Sequence, residues 1–273
     1  MIKRTIVFTL KSAALWIVIL MSSAAAAALL GMGSEVVNDN GPLGAGSAFL
    51  VVNGLHALVL AAIGARAAVR GWKLGALLGA TLYLAQSFLL IIEAFYFASS
   101  VDTPAGQLID SSLLSLAAAV GVGIAATFLW KPPEPDRHPG RGVRALVIPL
   151  SSVALLYPVF YFTAGFFIAW SVPEVRDFYG DGLDINIMNL LAFQVFRGMI
   201  WALLAQALVR NMKRGTLAAA TIVGASFSIL ASAQLLYPNA FMPWEVRLPH
   251  LVEIGISNFV FGVIAGLVLG RKN

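Results

Sequence analysis

The sequence contains no cysteine and few charged residues. The absence of cysteine excludes disulfide bonds, thiolate metal sites and a cysteine nucleophile. Charged residues make up 11% of the chain, whereas soluble domains carry roughly 25%, because water must solvate their surface. Too few charges remain to cover a water-exposed surface, so the sequence excludes an ordinary soluble fold.

Apolar sequence takes the place of the missing charges. Hydrophobic residues make up 59% of the chain, and the mean hydropathy is +0.86. They form runs of about twenty residues, the length that a helix needs to cross a ~30 Å hydrocarbon layer. Such runs must satisfy their own backbone hydrogen bonds in lipid and are therefore helical. The predicted membrane-spanning helices are 5–30, 45–67, 74–98, 109–130, 143–171, 186–209, 215–237 and 248–270.

The net charge of +5 is carried mainly by alternate connections between these helices. Arg176 and Arg247 are the exceptions, and the remaining connections are acidic. Cations accumulate on the cytoplasmic side of membrane proteins. We therefore predict an integral protein of a bacterial inner membrane, with both chain ends in the cytoplasm, and no nucleic-acid partner. The cations counted are Lys3, Arg4, Lys11, Arg66, Arg70, Lys73, Lys131, Arg137, Arg141, Arg144, Arg210, Lys213, Arg214, Arg271 and Lys272.

The two halves of the chain align without gaps at an offset of about 140 residues. The loop Arg70-x-x-Lys73-x-Gly75 recurs as Arg210-x-x-Lys213-x-Gly215, among matches in the flanking helices. Chance explains scattered Ala and Leu matches, but not this loop. We predict an all-α polytopic membrane protein of two tandem four-helix repeats, related by a pseudo-two-fold axis along the membrane normal. The repeats are 1–130 and 143–273, and a Pro-rich cytoplasmic linker, 131–142, joins them.

The N-terminal helix has features of a signal peptide. Lys3 and Arg4 precede an apolar core, which ends in a run of alanines at 24–28. In the alignment of the two halves, however, this helix corresponds to the internal fifth helix. We therefore expect it to be retained.

Ionisable side chains within the predicted helices are candidates for function. Each costs roughly 2.5–3.5 kcal/mol at mid-helix, so it tends to face protein or a water-filled cavity. The two halves differ at these positions, which predicts one asymmetric polar site between them for a small solute, an ion or a proton. The alternative is a structural ion pair of Arg197 with Glu93 or Glu253. The candidate ligand-binding residues are Asn53, His56, Glu93, Gln194, Arg197, His250 and Glu253.

His250 and Glu253 have a spacing that metal sites use, H-x-x-E on one helical face. No second pair matches it, and capping is the simpler interpretation, with Pro249 opening the eighth helix and Glu253 near its positive end. A haem held by His56 and His250 is not expected, because the two lie at different predicted depths. We predict no metal and no cofactor.

Three glycines repeat at every fourth residue of the last helix, at Gly262, Gly266 and Gly270. Small residues at this spacing allow another backbone to approach closely. The pattern predicts a helix–helix contact surface, which another membrane protein can use.

No catalytic signature is present in the sequence. It lacks the Gly-x-Ser-x-Gly elbow, the His-Glu-x-x-His zinc motif, the phosphate loop and the dinucleotide fingerprint. Any enzyme of this sequence would have to work within the membrane. The leading hypothesis is a small permease-like transporter with a polar intramembrane site. The alternative is a non-catalytic membrane scaffold or assembly factor that binds another membrane protein.

Overall fold

The computed structural model describes residues 2–32, 41–97, 105–130, 143–180, 186–213, 216–239 and 242–270. The predicted linker, 131–142, and the C-terminal Arg271 and Lys272 lie outside these residues, as does Arg214.

Eight helices in the described part of the chain are long and apolar enough to cross a membrane. This confirms the prediction of an all-α, multi-pass membrane protein. A short helix, which the hydropathy pattern does not predict, follows the fifth of them. The helices are α1 (Ile2–Leu29), α2 (Ala45–Arg66), α3 (Trp72–Tyr96), α4 (Ala105–Leu129), α5 (Val143–Ala164), the short α6 (Pro173–Tyr179), α7 (Ile187–Arg210), α8 (Thr216–Ser232) and α9 (Trp244–Leu269).

Three of the helices depart from regular α geometry. A π-helical turn, Leu84–Phe88, lies within α3, and another, Gly165–Ala169, continues α5. A 3₁₀ turn, Ala233–Leu236, continues α8. A π turn adds one residue to a helical turn and is frequent at functional sites.

The chain divides into two compact units. Unit 1 comprises Met1–Asp136 and Leu236–Pro243, and unit 2 comprises Arg137–Leu235 and Trp244–Asn273. In unit 1, α1 packs against α2 and α4, and α3 packs against α4. In unit 2, α5 packs against α7 and α9, and α8 packs against α9.

Unit 1 is held together by close contacts at small residues. A Cβ placed on Gly64 would lie 2.5 Å from Cζ2 of Trp130, so the absence of a side chain in α2 makes room for this indole. The ammonium group of Lys11 lies 4.7 Å from the centroid of the Trp130 ring, within the range of a cation–π contact. Trp130 thus joins the end of α4 to α1 and α2.

The core of unit 2 is aromatic. Trp201 and Phe227 have ring centroids 4.3 Å apart, and those of Tyr157 and Phe261 are 5.2 Å apart in an edge-to-face arrangement. Phe227 and Phe261 are stacked at 6.3 Å. These contacts join α5, α7, α8 and α9 through buried rings.

The predicted glycine surface of α9 is used within the chain. A Cβ on Gly262 would lie 2.7 Å from Cα of Gly224, and one on Gly266 would lie 2.6 Å from Cα of Ala220. Both neighbours belong to α8. The expected close backbone approach is therefore present, but the expectation that Gly262 and Gly266 serve another protein is wrong, because α8 already fills this surface.

Large apolar side chains cover the outside of the helices. Ile148 is 77% exposed, Phe128 is 79% exposed, and Phe166 and Phe167 are about equally exposed at 69% and 70%. Water does not favour such a surface, whereas hydrocarbon chains do. The outward apolar side chains therefore fit a lipid bilayer as the solvent of these helices.

Candidate functional site

Polar and charged side chains are buried within the membrane-spanning helices of both units. In soluble proteins, such groups are rarely buried unless they are paired, and lipid makes the cost higher. These positions are therefore the candidates for binding a ligand or for pairing inside the membrane. Apart from buried serine and threonine residues, they are Asn53, His56, Gln194, Arg197, Arg247, Glu253 and Asn258.

Gln194 and Arg197 form a pair on α7. The guanidinium Nη1 of Arg197 donates a hydrogen bond of 2.9 Å to Oε1 of Gln194, one turn earlier in the helix. Gln194 is 0% exposed and Arg197 is 5% exposed. The guanidinium carbon lies 5.6 Å from the ring centroid of Tyr157 and 5.9 Å from that of Phe193. The guanidinium group thus contacts a side-chain amide and two aromatic rings.

Two donor groups on this face of α7 have no hydrogen-bond partner among the described residues. They are Nε2 of Gln194 and the indole Nε1 of Trp201, four residues beyond Arg197. Residues at i, i+3 and i+7 share one side of a helix, so both donors lie on the side that carries Arg197. An unpaired buried donor costs about 1–3 kcal/mol. This face therefore presents buried N–H groups that lack an acceptor.

A second cluster in unit 2 is centred on His250. Its Nδ1 lies 2.8 Å from Oε2 of Glu253, and its Nε2 lies 3.2 Å from the hydroxyl of Tyr179. The Tyr179 ring stacks on Trp170 at 5.7 Å. The three polar groups make a continuous hydrogen-bonded chain, Tyr179–His250–Glu253. The H-x-x-E pair is thus joined by a phenol from α6, and the described residues contain no group of three or more metal-ligating acidic or His residues.

The second carboxylate oxygen of Glu253 faces the π turn at the end of α5. A Cβ on Gly165 would lie 3.6 Å from Oε1, an ordinary contact distance, so the bare glycine leaves space beside the carboxylate. The structure corrects the interpretation of Pro249 as the start of the last helix. α9 begins at Trp244, and Pro249 lies inside it.

Unit 1 contains Asn53, His56 and Glu93. The amide Nδ2 of Asn53 donates to the carbonyl oxygen of Phe49 at 2.8 Å and to the hydroxyl of Tyr237 at 3.2 Å. His56, nearly one turn further along α2, is 0% exposed, and neither of its ring nitrogens has a hydrogen-bond partner among the described residues. Glu93 is only partly buried and lies in α3 after the π turn.

Arg247 is a buried cation that the sequence pattern does not select. It is 0% exposed in the first turns of α9. Its Nη1 donates to the carbonyl oxygen of Leu235 at 3.3 Å, and its guanidinium lies 5.4 Å from the Trp244 ring centroid. The signal in the sequence was its position, since Arg247 breaks the alternation of basic and acidic connections.

Comparison of the chain with protein-family models, with curated proteins and with solved structures finds no match.

Proposed function

We propose that the protein is a small transporter of the permease type, in which polar groups inside the membrane-spanning helices bind the transported solute. The observation that carries this proposal is the Gln194–Arg197 pair with its neighbouring unpaired donors. Arg197 lies ten residues after Ile187 in a helix of 24 residues, which puts it ~15 Å from the helix start. A charge near the middle of a span is typical of substrate and ion pathways.

A purely structural pair accounts for these observations less well. A polar pair that serves only the fold is most stable when every buried donor has an acceptor, because lipid offers none. Gln194 and Trp201 each keep a donor without an acceptor in the described part of the chain. A solute that carries acceptor atoms would satisfy both.

The chain Tyr179–His250–Glu253 supports a role for protons in the same function. Hydrogen bonds connect the three groups in series, and His residues serve as proton shuttles in proteins. Hydrogen-bonded carboxylate and His groups form proton relays in pumps and transporters. We assign these three hydrogen-bonded residues to the proton pathway. Asn53, His56 and Glu93 are proposed as the solute- or ion-binding residues of unit 1.

Transport is tested with the full chain reconstituted into proteoliposomes. A panel of small solutes, covering organic anions, cations, amino acids and sugars, is added outside, and uptake is followed with an internal pH-sensitive dye and with radiolabelled solute. Wild-type protein should take up at least one class faster than protein-free liposomes. The Arg197→Ala variant should lose at least 90% of that uptake.

The matched control is Arg210→Ala, which removes an exposed arginine from the end of the same helix. This variant should keep wild-type uptake. Folded wild-type protein that moves no member of the panel, or an Arg197→Ala variant as active as wild type, would contradict the proposal.

We also propose that both chain ends face the cytoplasm of a bacterial inner membrane. The support is the accumulation of cations in alternate connections. Reporter fusions after residue 273 and within 98–104 should be active on opposite sides of the membrane. A reporter at residue 273 that is active outside the cytoplasm would overturn this orientation.

We also propose that the two halves of the chain arose by an internal duplication. In both units the first membrane-spanning helix packs against the second and the fourth, and the third packs against the fourth. This common order of helix pairs supports the alignment of the two halves at an offset of about 140 residues.

A further inference from the structure

Gln194, Arg197 and Trp201 lie on one face of α7 and present buried N–H groups. We propose that this face is a binding site for a small oxyanion, such as the carboxylate of an organic acid. The assignment of this anion as the transported solute rests on the proposed function, whereas the site itself can be tested by binding alone.

The orientation of the Gln194 amide follows from its neighbour. A guanidinium group donates and never accepts, so the Gln194 atom 2.9 Å from Arg197 Nη1 is its oxygen. The amide nitrogen must then point away from this hydrogen bond. It is buried and has no acceptor among the described residues. A flipped Gln194 amide cannot satisfy the unpaired nitrogen, because it would place that nitrogen against the Arg197 guanidinium, and both groups are donors.

The Trp201 indole is also fixed in its direction. Its ring is 1% exposed and packs against Phe227 at 4.3 Å and against Tyr157 at 6.4 Å. The indole nitrogen can only donate, and it too lacks an acceptor in the described part of the chain. The same Tyr157 ring lies 5.6 Å from the Arg197 guanidinium. One aromatic ring thus contacts both the cation and the indole.

The chemistry of these groups selects a negatively charged acceptor. Both unpaired atoms are donors, and the group between them along the helix is the cationic guanidinium of Arg197, which can donate but not accept. Hydrogen bonds to an ionised acceptor are stronger than those between neutral groups. The two unpaired atoms offer no acceptor to a cation. Carboxylate and phosphate oxygens match the set, and a neutral amide or sugar matches only part of it.

The depth of the site identifies the source of the anion as a free solute. Arg197 lies ten residues into α7, ~15 Å from the helix start. The hydrocarbon layer is ~30 Å thick, and lipid headgroups lie outside it. A headgroup phosphate would have to sink to the middle of the layer, whereas a small free anion would not carry acyl chains with it.

Binding is measured on the full chain in detergent by isothermal titration calorimetry at constant ionic strength. The probes are acetate, succinate and inorganic phosphate, with acetamide as the neutral analogue of acetate. At least one anion should bind, and at least tenfold more tightly than acetamide. Headgroup binding is tested in parallel with short-chain phosphatidylglycerol, which should not compete with the bound anion.

Two substitutions test the donors, with folding checked by circular dichroism and size-exclusion chromatography. Gln194→Glu keeps an acceptor for Arg197 but replaces the free donor by a carboxylate oxygen, so anion affinity should fall at least thirtyfold. Trp201→Phe keeps an aromatic ring without the N–H group, and affinity should fall about tenfold. The matched control is Trp16→Phe, since the Trp16 indole already donates to the carbonyl oxygen of Leu50 at 3.0 Å. This variant should bind as wild type.

The inference is overturned if acetate, succinate and phosphate bind no better than acetamide, or if folded Gln194→Glu and Trp201→Phe both bind anions as wild type does. Competition by phosphatidylglycerol would overturn the free-solute assignment. Uptake of a neutral or cationic solute without anion binding would refute the anion site and leave the transport proposal standing. Anion binding without any flux would refute the transport proposal and leave the anion site standing.

Discussion

Gly224 of α8 and Gly262 of α9 lie so close that a Cβ on Gly262 would be 2.7 Å from the Cα of Gly224. Real Cβ atoms do not approach another backbone this closely, so a side chain at Gly262 must push the two helices apart. The hydrophobic effect does not hold helices together in lipid, because the lipid chains are as apolar as the helix surfaces. Helix association therefore depends largely on such close packing.

Substitution at this contact should therefore destabilise unit 2. We expect Gly262→Ala to lower the free energy of unfolding by about 1–3 kcal/mol, as overpacking does in protein cores. Gly255→Ala, on the same helix, is the control, because its Cβ would lie 3.6 Å from Ser232 Oγ, an ordinary contact. It should be neutral or gain up to about 1 kcal/mol. Urea unfolding in mixed micelles measures both, and equal stability of the two variants would refute the expectation.

The number and type of the membrane-spanning helices were predictable because hydropathy and length decide them. Runs of about twenty apolar residues have no other stable state in lipid, and the described helices agree with the predicted ones to within a few residues in most cases. The start of α9 was placed too late. Its first turn contains Glu245 and Arg247, and these two charges lower the hydropathy of the turn below that of a predicted span. In the structure, Arg247 donates a hydrogen bond to the carbonyl oxygen of Leu235.

The candidate site was predictable only in part. Gln194 with Arg197, and His250 with Glu253, were expected as neighbours because residues three apart share a helix face. Tyr179 was missed because it reaches His250 from a short helix 71 positions earlier in the chain, and periodicity carries no such long-range information. Trp201 was missed because a tryptophan in an apolar run is typical of a packed core. Only its unpaired indole nitrogen distinguishes it.

The hydrogen bond between Tyr179 and His250 should contribute measurably to stability. We expect the double-mutant cycle of Tyr179→Phe and His250→Phe to give a coupling energy of about 0.5–1.5 kcal/mol. Unfolding of the wild type, the two single variants and the double variant supplies the four free energies.

The control cycle combines His250→Phe with Tyr83→Phe. Tyr83 has its own hydroxyl contact, with Ser112 at 2.9 Å in unit 1. Substitutions without shared partners usually add to within about 0.5 kcal/mol. A Tyr179–His250 coupling no larger than that of the control would mean that the 3.2 Å contact does not contribute to stability.

Tyr237, which follows the span Leu217–Leu236, should ionise at unusually high pH. Burial raises the pKa of Tyr237 to about 12, and the hydrogen bond from Asn53 acts in the opposite direction. The unfolded chain loses this proton near pH 10 and the folded chain near pH 12. The neutral Tyr237 side chain therefore makes its full contribution to the free energy of unfolding below pH 10. This contribution decreases by up to about 3 kcal/mol as the pH rises to about 12.

Absorbance at 295 nm measures this ionisation. The titration of wild type minus that of Tyr237→Phe should show one phenolate forming near pH 12, with far-UV circular dichroism confirming that the helices persist. Asn53→Leu removes a donor that stabilises the phenolate, so it should move the transition higher. A difference titration with its midpoint near pH 10 would show that the Tyr237 hydroxyl is accessible to water.

Gly198 positions the Arg197 site by allowing α5 to approach α7. A Cβ at Gly198 would overlap the carbonyl oxygen of Ala154 and lie 2.8 Å from Cβ of Tyr157, the residue whose ring contacts the Arg197 guanidinium. Gly198→Ala must therefore displace Tyr157 or α7. Because pre-organised binding groups lose affinity when their geometry shifts, we expect at least a tenfold loss of anion affinity as well as about 1–3 kcal/mol of stability.

The control for this substitution is Gly54→Ala, where the added Cβ would meet Trp16 at 3.7 Å, an ordinary contact. It should change neither stability nor anion affinity appreciably. The decisive comparison is between Gly198→Ala and Gly79→Ala. A Cβ on Gly79 would lie 2.7 Å from the carbonyl oxygen of Ala119, so both variants insert a methyl group into a tight helix contact, but Gly79 belongs to unit 1. If the site depends on the approach of Tyr157 to Arg197, Gly198→Ala loses binding out of proportion to its lost stability. Equal losses of affinity in the two variants would instead assign the effect to general loosening of the fold.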